Sequence, residues 1–124
     1  MIVGTGIDIV EVPRIAASLD RFGERFTRKI FTDDEIRYCE SKQNKAERYA
    51  ARFAAKEAAM KALGTGWRGL GWKEIEVRRR PGSRPTVVFS GRAAELAERF
   101  GVVRASLSLS HTGQHAIAEV ILES

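Results

Sequence analysis

Residues 44–64 read NKAERYAARFAAKEAAMKALG and carry the longest helical pattern in the chain. Asn44 can cap the start of a helix, and Gly64 is a residue that commonly ends one. Four large apolar side chains recur at helical spacing and form one stripe: Tyr49, Phe53, Met60 and Leu63. Lys56 falls within this stripe, so its ammonium group must reach solvent or meet an anion. The stretch therefore predicts one long amphipathic helix.

The chain before this helix predicts one strand and two shorter helices. Residues 2–10, IVGTGIDIV, are rich in β-branched side chains and predict a strand. Residues 13–22 begin with a proline and are followed by a glycine, which is typical of a helix. Thr32 and Glu35 have the spacing of a capping box, which opens another helix running to about Ser41.

The chain after the long helix predicts four strands and one further helix. Residues 65–72, TGWRGLGW, form a glycine-rich loop. Within residues 74–89, EIEVRR and PTVVF predict two strands around the turn PGSRP. Residues 90–101 predict a helix, residues 103–110 alternate as a strand does, and a last strand covers about 115–122.

The length and the order of these elements predict the fold. A chain of 124 residues is the usual size of one domain, so we expect a single domain over residues 1–124. The order βαααββαββ indicates the α+β class, with a mostly antiparallel sheet and helices packed on one side of it.

The composition limits the classes of function. No apolar run is long enough to span a bilayer, and the N-terminus lacks a basic region followed by an apolar one, so we expect a cytoplasmic protein. Cys39 is the only cysteine, which excludes an intrachain disulfide and a cysteine-based zinc site. The net charge of +5 favours anionic partners.

Asp8 is the first candidate for chemistry. Alternation along the strand places it on one face with Ile2, Gly4, Gly6 and Val10. A carboxylate in mid-strand is costly unless a cation or hydrogen-bond donors satisfy it. Glycines on the same face leave room for something bulky to approach the backbone. A magnesium ligand and a structural aspartate that accepts hydrogen bonds from a turn both fit this pattern.

Two further candidates come from the long helix and from the last hairpin. Glu57 lies at the edge of the apolar stripe, and Lys61 is one turn further on; spacing alone favours an i,i+4 salt bridge between them. Ser110 and His111 fall at the start of the hairpin loop. They are either turn residues or donors that, with backbone N–H groups, could hold a phosphate.

A basic stripe follows the first helix. Arg14, Ser18, Arg21 and Arg25 recur at intervals of three and four residues. Such a stripe could meet an acidic helix or a phosphate backbone, although a solvated face is the more common outcome for charges of this kind.

The motifs taken together resemble one known family. GTGIDIVEVPRI (4–15), FTDDEIRYC (31–39), ARFAAKEAAMKALGTG (51–66) and SLSHTGQHAIAEVILE (108–123) are similar to the holo-acyl-carrier-protein synthases, the short type of phosphopantetheinyl transferase. The resemblance implies transfer of 4′-phosphopantetheine from coenzyme A to a serine of apo acyl carrier protein. Adenosine 3′,5′-bisphosphate would be released, and the activity would support fatty acid biosynthesis.

The resemblance also implies roles for the candidate residues. The residues matching Asp8 and Glu57 bind Mg²⁺ in the family, and the lysine matching Lys61 lies beside the phosphates of coenzyme A. Ser110 and His111 match part of the coenzyme pocket. Glu57 and Lys61 are therefore expected to be catalytic, and either Glu57 or a metal-bound water would accept the proton.

The partners expected from the resemblance are coenzyme A, the carrier protein and further copies of the chain. The basic residues Arg14, Arg21 and Arg25 would meet an acidic helix of the carrier protein. The assembly would be a homotrimer with coenzyme sites at the subunit interfaces, without nucleic acid or membrane as a partner.

Two other functions fit parts of the sequence. The net charge and the run at residues 78–80, three successive arginines, are also typical of a small basic nucleic-acid-binding module without catalysis. That alternative assigns no function to Asp8 and Glu57, and no recognised nucleic-acid-binding signature is present. A coenzyme A binder or trimeric scaffold without catalysis is the other alternative.

Overall fold

The computed structural model describes residues 1–65 and 69–124. Its elements, in chain order, are β1 (Ile2–Glu11), α1 (Val12–Phe22), α2 (Glu24–Ile30), α3 (Asp33–Glu40), α4 (Lys45–Ala62), a short 3₁₀ turn (Trp72–Glu74), β2 (Ile75–Arg78), β3 (Thr86–Phe89), α5 (Gly91–Arg99), β4 (Arg104–His111) and β5 (His115–Glu123). The predicted loop at 65–72 lies partly outside the described residues. Within the described ranges, no helix is both long enough and apolar enough to cross a membrane.

The strands are all antiparallel, but they form two sheets. The order β1-β5-β4 makes a three-stranded sheet, and β2 pairs with β3 in a separate two-stranded sheet. The α+β class and the antiparallel pairing are therefore confirmed, and the structure adds that the strands are divided between two sheets. The hairpin of β2 and β3 packs beside β4 and α4.

Helix α4 lies directly against β1 because two glycines allow it. A Cβ atom at Gly4 would collide with the backbone carbonyl oxygen of Ala62, and one at Gly6 would collide with that of Ala58. The buried face of α4 is rich in alanine, which keeps the helix and strand backbones close. The bulky group expected to approach this face of the strand is thus α4 itself, and the approach fixes Asp8 beside the helix.

The three-stranded sheet has one covered face and one open face. Along β5, Ala116, Ala118, Val120 and Leu122 are buried, whereas the residues between them are partly or fully exposed. The covered face packs on α4: Ala118, Val120 and Leu122 join the main core cluster, and Ala116 joins a second cluster. The open face carries the exposed isoleucines Ile7, Ile9 and Ile117.

Helix α2 was not predicted from the sequence. It begins after Gly23, whose φ of 53° lies in the left-handed region that favours glycine, so α1 ends there and the chain changes direction. The helix is only seven residues long, and its buried side chains are Thr27 and Ile30. Gly23 indicated the end of α1. The apolar pattern after it is too short to indicate that another helix begins there.

The capping box of α3 is confirmed, and its acid also neutralises the lysine in the long helix. The Glu35 Oε1 atom lies 2.8 Å from Lys56 Nζ, and both side chains are fully buried. Lys56 also donates to two backbone carbonyl oxygens, those of Trp72 and Ile75. Glu35 also accepts two backbone N–H bonds, from Thr32 and Val77. The expected anion for Lys56 is therefore a buried partner that joins α3, α4 and β2.

Candidate active site

An open pocket of about 410 Å³ lies between β1, α1 and α4. Asp8 and Glu57 both line it, with Arg14 at its rim and Phe26 and Phe53 on its apolar side. The strand supplies Asp8, the long helix supplies Glu57, and the close approach of the two elements at Gly4 and Gly6 brings the carboxylates to one place. The structure therefore unites two candidates that lie 49 residues apart in the chain.

Lys61 pairs with Asp8 across the strand–helix contact. Its Nζ atom lies 3.0 Å from Asp8 Oδ1 and 3.0 Å from the carbonyl oxygen of Ile7. The Asp8 side chain is 13% exposed, whereas that of Lys61 is 53% exposed. The salt bridge favoured by spacing alone, between Glu57 and Lys61, is not the pair that forms: the lysine bonds to the strand instead.

The environment of Glu57 disfavours its charge. Burial raises the pKa of its carboxyl group, and the neighbouring Asp8 raises it further. The cations Lys61 and Arg14 oppose this and lower the pKa. The net direction is upward, so two carboxylates share a pocket in which their mutual repulsion is not fully compensated.

The donor set of this pocket fits a hard divalent cation. Mg²⁺ binds oxygen ligands, keeps several waters and is usually held by one or two carboxylates together with substrate phosphates. Asp8 and Glu57 supply two such carboxylates at an open surface, and a bound cation would relieve their repulsion. The described residues contain no group of three or more metal-ligating side chains.

Ser110 and His111 lie away from the pocket of Asp8. They are the last two residues of β4 rather than part of the hairpin loop, which corrects the prediction. Successive strand residues point to opposite faces, so Ser110 is exposed while His111 is half-buried with its Nδ1 atom 3.2 Å from Glu47 Oε1. Strand β5 separates β4 from β1, a distance of about 10 Å across the sheet.

The basic residues do not form one continuous stripe on one helix. Arg14 and Arg21 lie on α1, but Arg25 belongs to α2, beyond the break at Gly23, which corrects the prediction. All three arginines are exposed. Arg14 differs from the other two because it lines the pocket of Asp8 and Glu57.

Sequence reasoning missed part of this pocket. Phe53 was predicted only as a member of the apolar stripe of the long helix, yet it lines the pocket and stacks on Trp72 with ring centroids 5.1 Å apart. Phe26 reaches the pocket from α2, the helix that was not predicted. Arg14 is exposed on α1 and also lines the pocket. This second position depends on how α1 packs against β1 and α4, which no local pattern in the sequence indicates.

Comparison with known proteins supports the likeness seen in the motifs. Residues 4–120 match a family model described as the 4′-phosphopantetheinyl transferase superfamily. A holo-[acyl-carrier-protein] synthase of Koribacter versatilis (strain Ellin345) is 65% identical over 124 residues, covering 99% of each chain. The crystal structure of the holo-[acyl-carrier-protein] synthase from Neisseria meningitidis matches with a TM-score of 0.90, at 35% identity over the full length of both chains. A holo-(acyl-carrier-protein) synthase from Bacillus anthracis, solved in complex with CoA (3′,5′-ADP), matches with a TM-score of 0.82 at 37% identity, covering 100% and 98% of the two chains.

Proposed function

Because this chain belongs to the holo-[acyl-carrier-protein] synthase family of the 4′-phosphopantetheinyl transferase superfamily, we propose that it moves the 4′-phosphopantetheine group of coenzyme A onto a carrier protein. It is a transferase that uses coenzyme A as co-substrate and a serine of apo acyl carrier protein as acceptor. The observation that carries the assignment is the pair of carboxylates, Asp8 and Glu57, in an open pocket beside Lys61.

The reaction forms one bond and breaks one bond at phosphorus. The serine oxygen of the carrier bonds to the phosphorus that bears the pantetheine arm, and the bond between that phosphorus and the bridging oxygen of the pyrophosphate breaks. Adenosine 3′,5′-bisphosphate leaves with the electron pair of the broken bond, and the serine loses its proton. Catalysis of such a transfer depends mainly on positioning and on compensation of charge.

The side chains of the pocket would serve those two needs. Asp8 and Glu57 would hold Mg²⁺, which when bound neutralises the pyrophosphate and aligns it for in-line attack. Lys61 is more than half exposed, so its ammonium can turn from Asp8 toward a phosphate of the leaving group. Glu57 and a metal-bound water are the two candidates for accepting the serine proton.

The carrier protein would dock along α1. Arg14 and Arg21 are two turns apart on this helix, so they span about 10 Å along its axis. An acidic helix laid alongside could pair with both, and Arg25 on α2 extends the basic surface. Complementary charge of this kind steers encounter and fixes orientation more than it adds affinity.

We further propose that three copies of the chain assemble through the open face of the three-stranded sheet. Ile7, Ile9 and Ile117 are exposed on this face, with Ile9 63% exposed and directly paired with Ile117. Neighbouring exposed apolar side chains of this kind are typical of protein–protein contacts. Ser110 pairs with Ile117 on the same face, so a second copy there could bring its own pocket residues to Ser110. The cytoplasmic location and the role in fatty acid biosynthesis remain predictions.

The test of the activity is the mass of the carrier protein. Apo acyl carrier protein incubated with the enzyme, coenzyme A and Mg²⁺ should gain the mass of one phosphopantetheine group. The gain should require both coenzyme A and the metal, so chelation with EDTA is the control. An unchanged carrier mass under all conditions would favour a binding protein without catalysis. A nucleic-acid-binding module has no support from the relatives described above.

The test of the assembly is the molar mass in solution. Light scattering should report a trimer for the wild-type chain. Ile9→Glu should yield smaller species because it places a charge on the open face, whereas Val103→Glu, at another exposed apolar position, should remain trimeric. A wild-type monomer at micromolar concentration would contradict the proposal.

A further inference from the structure

Glu47 and His111 form a pair that joins the first turn of α4 to the end of β4. The His111 Nδ1 atom lies 3.2 Å from Glu47 Oε1, although the two residues are 64 positions apart in the chain. Only 25% of the histidine side chain and 24% of the glutamate side chain are exposed. The proposed transfer reaction gives Glu47 no role, so the contact calls for a separate account.

The position of Glu47 on its helix does not explain this contact. Glu47 is the acidic residue in the first turn of α4, where a negative charge favours the helix. That effect does not depend on where the carboxylate points. In the part of the chain that the structure describes, no lysine or arginine pairs with Glu47. The approach of its oxygen to a ring nitrogen of His111 is therefore a feature of its own.

The chemistry of the two groups decides where the proton of the ring lies. An ionised carboxylate only accepts hydrogen bonds, so a bond to Glu47 requires the proton on Nδ1 of His111. The other nitrogen, Nε2, then carries a free lone pair in the neutral ring and donates a second hydrogen bond in the protonated ring. The bond that one nitrogen makes thus sets what the other can offer to a ligand.

We propose that Glu47 is a positioning residue for coenzyme A: it holds Nδ1 of His111, so that Nε2 is the only ring nitrogen presented to the co-substrate. The inference rests on the proposed function, in which coenzyme A is bound and His111 belongs to its pocket. A phosphate oxygen of coenzyme A would accept from Nε2–H of the protonated ring, while Nδ1–H stays with Glu47. Without Glu47 the ring can rotate and divide its proton between two nitrogens, so a smaller fraction of molecules is ready to bind.

Glu47 lies too far from the proposed metal site of its own chain to act there directly. It precedes Glu57 by ten residues on α4, which is about 15 Å along the helix axis. The residues that line the pocket of Asp8 and Glu57 do not include it. Its effect on the reaction must therefore pass through the ring of His111.

The first test is the position of the ring proton in the free protein, read from the histidine nitrogen signals by nuclear magnetic resonance. At a pH where the ring is neutral, the proton of His111 should lie on Nδ1, whereas the exposed His115 should favour Nε2 as free histidine does. Glu47→Gln keeps the size of the side chain, but its amide can donate as well as accept, so the proton of His111 should spread over both nitrogens. Glu98→Gln removes the same charge from an exposed position on α5 and should change neither ring.

Coenzyme A provides a second reading in the same spectra. Its addition to the wild type should shift the Nε2 signal of His111 and leave Nδ1 bonded to Glu47. A wild-type ring with its proton on Nε2, or a ring that Glu47→Gln leaves unchanged, would overturn the proposal.

The effect on the reaction should appear in the KM for coenzyme A. Glu47→Gln should raise this KM about three- to tenfold, as expected for one well-placed hydrogen bond, and leave kcat and the KM for the carrier near their wild-type values. Glu98→Gln should leave all three constants unchanged. An unchanged KM for coenzyme A in Glu47→Gln would contradict the proposal.

A double-mutant cycle separates positioning from an effect on the helix. In the His111→Ala background, Glu47→Gln should have no further effect on coenzyme A, because Glu47 acts through the ring. The same increase in KM in both backgrounds would mean that Glu47 acts through α4, and the proposal would be wrong. Glu47→Ala, which lacks an acceptor, gives the same cycle if Glu47→Gln does not fold.

Calorimetric titration with coenzyme A alone makes the result independent of transfer. If the carrier gains no mass, but Glu47→Gln weakens the binding of coenzyme A only when His111 is present, the proposed transfer fails and the positioning role stands. If transfer proceeds, and Glu47→Gln binds coenzyme A as tightly as the wild type, the positioning role fails and the proposed activity stands.

Discussion

Two lysines that lie five residues apart on α4 each pair with a carboxylate from another element, and the two pairs differ in their exposure to solvent. Lys56 and Glu35 are fully buried, and each makes further hydrogen bonds to the backbone. Lys61 and Asp8 form a pair with a similar distance, 3.0 Å against 2.8 Å, but at an open pocket. Distance alone therefore does not reveal which pair is structural and which belongs to a site.

Saturation of the hydrogen-bonding groups is the property that separates the two pairs. In the buried pair, both carboxylate oxygens and the ammonium group have partners, so nothing remains to bind a ligand. In the open pair, a second carboxylate, Glu57, lies near Asp8 with its pKa raised. The open pair has donors and acceptors available for a substrate, and the following predictions test this difference.

The largest effect should come from breaking the buried pair. Lys56→Met leaves the Glu35 carboxylate buried without its cation, which should lower the free energy of unfolding by about 3–5 kcal/mol. Lys61→Met at the open pair should change it by about 0–1 kcal/mol, as is usual for exposed pairs. Urea unfolding of the two variants measures both free energies. Equal decreases in the two variants would contradict the division into a structural pair and a site pair.

Cys39 offers a second readout of the same change. Its side chain is fully buried in the cluster beside α3 and α4, and burial raises the pKa of the thiol to about 12. A thiol reagent at pH 8 should therefore modify it only when this region opens. Lys56→Met should speed the reaction more than Lys61→Met; equal rates would mean that the buried pair does not hold this region closed.

The next effect concerns activity at the open pair. Asp8→Asn and Glu57→Gln keep the size of each side chain but remove a charge from the proposed metal site. Each should reduce transfer to the carrier by about 100-fold or more, because even residues behind metal ligands contribute 10–100-fold. Both proteins should remain folded by circular dichroism, and activity within a few-fold of the wild type would contradict the site.

The sequence predicts most of the local structure and part of the site. The spacing of Thr32 and Glu35 specifies the cap of α3, and the glycines before Asp8 indicate a close neighbour on that face. These signals are local or periodic. The partner of Lys56 lies 21 residues away, so a lysine in an apolar stripe indicates the need for an anion without naming it.

A smaller effect should distinguish two arginines of α1. Both are exposed, but only Arg14 lines the pocket of Asp8 and Glu57. Arg21→Ala should raise the KM for the carrier a few-fold and leave kcat unchanged, since an exposed contact contributes about 0.2–1 kcal/mol. Arg14→Ala should raise this KM and also lower kcat, because it removes a cation from the pocket.

Salt provides the control for the two arginines. Screening weakens the attraction between exposed charges, so added salt should raise the KM of the wild-type enzyme for the carrier more than that of Arg14→Glu with Arg21→Glu. If Arg21→Ala instead altered the dependence on coenzyme A, α1 would belong to the nucleotide pocket.

The smallest effect is a difference in stability that depends on pH. The pKa of Glu57 is raised in the folded protein, mainly by burial and next by Asp8, so its charged form is disfavoured relative to the unfolded chain. Without metal, Glu57→Gln should therefore be slightly more stable than the wild type near pH 8. The difference should vanish as the pH falls, because protonation of Glu57 removes the unfavourable charge. Mg²⁺ should reverse the order at pH 8, since an ion that binds only the folded wild-type pair stabilises it by mass action. Thermal unfolding of the wild type and of Glu57→Gln, in EDTA and in Mg²⁺, measures the difference in stability without and with the metal. A wild-type protein that is more stable in EDTA, or one that Mg²⁺ does not stabilise, would mean that the two carboxylates do not form an open pair awaiting a cation.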